Sequence, residues 1–152
     1  MSHDSDHLRT RIRCAACGRE TGALIRTDLR TVDEGETFTV GSPYAPETDD
    51  LDGAYFVLRA PVDAEPLHVL AYYHCEACKR SYQWAEIVFA DGRIQSAEAV
   101  ELNRAALSRA HAVDDWLADV YRDHGDVRID QMPAAERAAY ILAHPPTELT
   151  RD

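Results

Sequence analysis

The sequence predicts an α+β fold: a mainly antiparallel β-sheet with a pair of cysteine knuckles built into it, followed by one long and one short C-terminal helix packed beside it. Three observations predict this. Segments rich in β-branched and aromatic residues recur between turn signals up to about residue 96. The hydrophobic period then changes from two to three or four. All four cysteines fall in two Cys-x-x-Cys units, Cys14/Cys17 and Cys75/Cys78, each flanked by strand-like sequence.

The 152 residues fit one compact domain. It divides into a flexible end (1–7), a β-rich region (8–96), helices packed on the same domain (97–144) and a tail (145–152). "MSHDSDH" is polar and reads as a disordered end. His3 would suit copper or nickel capture only if Met1 were retained, and Ser2 favours its removal.

"LRTRIR" (8–13) and "ETGALIRTDLRTV" (20–32) read as two arms of a hairpin around Cys14 and Cys17. "ETFTVG" (36–41) is a short strand, and "SPYAPETDDLDG" (42–53) has the composition of a loop. Its carboxylates crowd enough to suggest calcium, but their spacing does not match an EF-hand loop, so a solvated loop is expected. Three further strands follow: "AYFVLRA" (54–60), "LHVLAYYH" (67–74) and "YQWAEIVFA" (82–90). The last two flank the second knuckle, and "DG" at 91–92 turns into a brief edge strand, "RIQ" (93–95), which closes the β-region.

Leu102, Ala106, Ala110, Val113, Leu117 and Val120 recur at helical steps, which predicts one long amphipathic helix capped by Ser96 and closed near His124 and Gly125. Its charged segment "DDWLADVYRDHGD" (114–126) could dock a basic partner, but a solvated outer face explains it with less. A short helix is expected from Pro133 to about Ala143, stopped by Pro145 and Pro146.

No export signal or membrane-length apolar run is present, so the chain reads as soluble and cytoplasmic, with no membrane partner. A reducing compartment favours metal thiolates over disulfides. Two residues between cysteines let both sulfurs face one ion while turn amides point at them. Arg13, Arg19, Lys79 and Arg80 beside the pairs can offset the charge of four thiolates. Gly18 suits the left-handed backbone such a turn needs, whereas Lys79 stands at the matching position of the second knuckle.

"CAACG" (14–18) and "CEACK" (75–79) resemble the zinc-ribbon class, in which two hairpin knuckles face each other across one zinc. The order of "CGRETGALIRTDLR", "FTVG", a second Cys-x-x-Cys and "IVFADGRI" is also similar to small uncharacterised bacterial zinc-ribbon proteins. The resemblance covers roughly 40 residues and departs from the compact pattern in the 57 residues between Cys17 and Cys75, which must themselves fold into a larger sheet. It implies one structural Zn2+ per chain on Cys14, Cys17, Cys75 and Cys78, and no particular activity. Rubredoxin-like iron on the same ligands, and a metal-free reactive dithiol, are the alternatives.

Of the neighbouring residues, His74 could replace a sulfur, although four cysteines already suffice. His68, Leu70, Tyr72 and His74 share one strand face, expected to be a half-polar sheet surface. Tyr72, Tyr73, Tyr82 and Trp84 could stack bases, but packing around the metal is the preferred reading. Four thiolates and one divalent ion would take the formal charge from −11 to −13, which disfavours nucleic acid.

A non-catalytic role as a protein-interaction adaptor or regulator is therefore expected, with another protein as partner and a homodimer allowed by exposed aromatic strands. Nucleic-acid or ribosome binding through Arg11, Arg13, Arg19, Arg26, Arg30, Lys79 and Arg80 is the second reading. An enzyme or enzyme subunit with zinc as scaffold is the third, with His68, His111 and Glu86 as candidates. No glycine-rich phosphate loop, nucleophile elbow or His-Glu-x-x-His helix is present.

Overall fold

The computed structural model describes residues 6–27, 29–30, 35–47, 55–79 and 83–149. His7–Arg13 (β1) and Glu20–Arg26 (β2) form the first hairpin, and Thr37–Phe38 (β3) adds a short parallel partner to β1. Tyr55–Val57 (β4), Leu67–Tyr73 (β5), Gln83–Ala90 (β6), Arg93–Val100 (β7) and Ala112–Asp114 (β8) make a second sheet in the order β4-β8-β5-β6-β7. The helices are Arg104–Arg109 (α1), Leu117–Gly125 (α2) and Ala134–Ala143 (α3).

These elements stack in three layers. Leu8, Ile12, Ala23 and Ile25 of the first hairpin meet Val69, Ala71, Tyr73, Ile87, Phe89 and Ile94 of the larger sheet in one apolar cluster. The opposite face of that sheet, through Leu70, Trp84 and Val113, packs on Leu107, Leu117, Tyr121 and Ile141 of the helices. Strand β5 is therefore apolar on both faces, because alternate residues enter different clusters. Burial of this kind supplies most of the drive to fold.

The expected long helix does not form. Residues 93–100 continue as a strand paired with β6, so the strands extend past residue 96. In this pairing Ile94 faces Phe89 and Ser96 faces Val88, which leaves Gln95 as an extra residue, a β-bulge. The bulge puts Ile94, Ala97 and Ala99 against the same cluster, and its step of three imitates a helical period. Asn103 then caps α1, accepting the Ala106 N–H at 2.9 Å. The helix stops at Ala110, whose backbone is extended, and the His111 N–H donates to the His68 carbonyl at 2.9 Å. Ala112–Asp114 run parallel to β5 and antiparallel to β4 in the middle of the sheet. All three are buried, and a short run buried on both faces carries no period by which to tell strand from helix.

Two further expectations change. There are two sheets, because the first hairpin packs face to face on the larger one instead of extending it. On the face of His68, Leu70, Tyr72 and His74, Leu70 is fully buried and packs with Tyr72 under the helices, so that face is polar only at its ends, where His68 is half-buried and His74 exposed. Asp6 and His7 are part of the fold. Asp6 is buried, accepts two hydrogen bonds from Arg30 at 2.8 Å each, and accepts others from the Glu36 N–H and the Tyr44 hydroxyl at 3.0 Å. Arg30 first among its partners holds the Asp6 carboxyl below the usual range, against the opposing effect of burial.

Candidate metal centre

Each Cys-x-x-Cys unit caps a hairpin, the first joining β1 to β2 and the second joining β5 to β6. The two turns are built alike. The Gly18 N–H donates to the Cys14 carbonyl at 2.8 Å, and the Lys79 N–H donates to the Cys75 carbonyl at 2.8 Å. Gly18 has φ +71° and Lys79 φ +60°, so the second knuckle adopts the left-handed turn without a glycine. Arg13 Nη1 closes the first turn on the Gly18 carbonyl at 2.7 Å.

Because the hairpins lie in facing sheets, their tips meet. The sulfurs of Cys14, Cys17, Cys75 and Cys78 all lie within 4.8 Å of one another, with Cys14 and Cys75 buried and the other two half-buried. None is in a disulfide. Cys17 Sγ and Cys75 Sγ are 3.8 Å apart. A tetrahedral ion with metal–sulfur bonds of about 2.3 Å requires sulfurs about 3.8 Å apart, so the donor set and the Cys17–Cys75 spacing fit such an ion. The four cysteines can hold a metal ion.

The surroundings favour a thiolate at Cys14. Burial opposes charge on Cys14, but the Cys17 and Ala16 amides and the thiols of Cys75 and Cys17 outweigh it and bring its pKa to about 6. Gln83 Oε1 is 3.8 Å from Cys14 Sγ, and rotating that amide presents an N–H to a thiolate. The Tyr73 hydroxyl is buried with no hydrogen-bond partner among the described residues. Burial first, then Cys14, Cys75 and Cys17, raise its pKa, so it stays protonated and can donate to sulfur. Strand parity was the signal for Tyr73, which lies two residues before Cys75 and in the same apolar cluster.

The remaining candidates are dispersed. Tyr72 contacts Trp84 and Trp116 at ring distances of 6.3 and 5.4 Å, under the helical layer. Among the described residues of the basic set, Arg11 pairs with Glu20, Arg26 with Asp114 and Asp115, and Arg30 with Asp6 and Glu36. His3, Arg80, Tyr82 and residues 48–53 of the acidic loop lie outside the described residues. His68, Glu86 and His111 do come together. His68 Nδ1 is 3.0 Å from Glu86, and the His68 N–H donates to His111 Nδ1 at 3.1 Å. Arg109, which sequence reasoning missed, donates to both Glu86 oxygens at 3.3 Å.

The class defined is a three-layer α+β protein with a four-cysteine cluster joining its two sheets. Comparison with known protein families, with curated proteins and with solved structures finds no match. Among the described residues no helix is long and apolar enough to cross a membrane.

Proposed function

We propose that Cys14, Cys17, Cys75 and Cys78 hold one structural Zn2+ in a zinc-ribbon-like arrangement, and that the protein is a non-catalytic adaptor or regulator in the cytoplasm. The observation that carries this is the convergence of four sulfurs from two facing hairpins. When bound, the ion supplies coordinate bonds that tie the two sheets together. Four cysteines fill a tetrahedral shell and leave no position for substrate, so the metal acts as scaffold. Tyr73 and Gln83 would orient and stabilise the Cys14 thiolate. A formal charge of −11 and the internal pairing of Arg11, Arg26 and Arg30 favour a protein partner over nucleic acid.

Native mass spectrometry of protein purified without added metal, at low and then higher salt, tests this reading. One zinc per chain with a retained protein is the expected result. Iron in its place changes the metal, and retained RNA or DNA replaces the adaptor role. A folded chain with no metal overturns the proposal.

A further inference from the structure

A cavity lies away from the cysteines. It sits where β5 begins and β6 ends, whereas the second knuckle follows the far end of β5, about 20 Å along the strand. Its volume is about 510 Å³, within the range of small-molecule sites. Tyr44, Leu67 and Phe89 supply buried apolar walls. The segment from Pro61 to Pro66 forms one side, its ends restricted by the proline rings.

The charged side chains that line the cavity are all acidic, and the cation acting most on His111, Arg59, stands outside the lining. Among the described residues Asp63, Glu65 and Asp91 border the cavity, no lysine or arginine does, and none of the three has a salt bridge. Such a cleft on a chain of formal charge −11 concentrates cations.

His111 adds an independent polar group. It lines the cavity, is 1% exposed, and its Nε2 has no hydrogen-bond partner among the described residues. Its Nδ1 accepts the His68 N–H, so the neutral ring carries its proton on Nε2. That tautomer cannot ligate a metal through Nε2; its N–H lies buried behind the cavity wall and meets a ligand oxygen on a turn of the ring toward the cavity.

We propose that this cavity binds a small organic cation, an ammonium or guanidinium on an apolar stem that also bears a carbonyl or hydroxyl oxygen. The cation meets Asp63, Glu65 and Asp91, the stem lies on Tyr44, Leu67 and Phe89, and the oxygen accepts from His111. The site does not depend on the metal reading, because its lining includes none of the four cysteines.

The test is calorimetric and NMR titration of the full chain with N-acetyl-arginine methylamide. N-acetyl-citrulline methylamide serves as a neutral probe of nearly the same shape. The arginine probe should bind saturably and shift the His111 Nε2–H resonance, and the citrulline probe should bind about tenfold more weakly. The double variant Glu65→Gln/Asp91→Asn should lose about tenfold for the arginine probe and nothing for citrulline; asparagine tolerates the φ of +55° at position 91. Absence of saturable binding, equal affinity for the two probes, an unmoved His111 signal, or a double variant that binds like the parent would each overturn the assignment.

Discussion

Cys17 Sγ stands 3.8 Å from Cys75 Sγ although the two residues are 58 apart in sequence and belong to hairpins of different sheets. A bond network at that point closes a long loop, whose entropic cost grows only slowly with length. Most of the metal's coordination energy is therefore left to stabilise the fold.

Cys75→Ser should abolish stoichiometric metal binding and lower stability. At free zinc about a thousandfold above its dissociation constant, the loss is about 4 kcal/mol, read from urea melts with and without chelator. A variant with full metal content and unchanged melting would remove the shared site.

Tyr73→Phe separates a metal-bound cluster from a merely buried thiol group. The hydroxyl lacks a partner among the described residues, so without metal its removal should cost little. With metal it donates to a charged sulfur, and the change should weaken affinity about tenfold in competition with a chromophoric chelator. Equal affinity for both proteins would place the hydroxyl outside the ligand environment.

Lys79→Gly should stabilise the second knuckle. A side chain at φ +60° costs about 1–2 kcal/mol, and the added freedom of glycine in the unfolded chain returns part of it. The expected net gain is about 0.5–1 kcal/mol of stability, read as a higher denaturation midpoint at unchanged slope, with metal content unchanged. A destabilised variant would mean that the lysine side chain contributes more than the turn strain costs.

Asp114→Asn should raise stability at pH 8 and have little effect near pH 4. Burial, with Asp115 adding to it, pushes the Asp114 carboxyl up to about 7, against the Trp116 N–H and Arg26. A folded pKa above the ordinary 3.8 means that stability is fullest below about 4 and is lost as pH rises through 7. Relief of the buried charge at pH 8 is on the order of 2–4 kcal/mol. The same difference at both pH values would sink this account.

The site was more legible than the fold around it. Cysteine spacing identified four residues that the structure brings together, because two chemically specific pairs leave few other pairings. The short helix beginning after Pro133 was marked by proline at both ends. The region 93–117 misled because the bulge at Gln95 and the doubly buried Ala112–Asp114 both erase the two-residue period of a strand. Ala106, Ala110, Val113 and Leu117 do share one apolar cluster, but they reach it from helix, connection, strand and helix. Asp6, whose charge suggests an exposed end, is buried because Arg30, 24 residues away, returns to meet it.

Strand β8 lies between β4 and β5 yet follows both in the chain by more than 35 residues. During synthesis β4 and β5 therefore emerge well before the strand that joins them, and β5 faces solvent along one edge until residue 114 is free of the ribosome. A stalled or truncated chain ending before Ala112 would present that open edge to other chains. The order of translation thus makes a late strand, Ala112–Asp114, the guard of the sheet's interior.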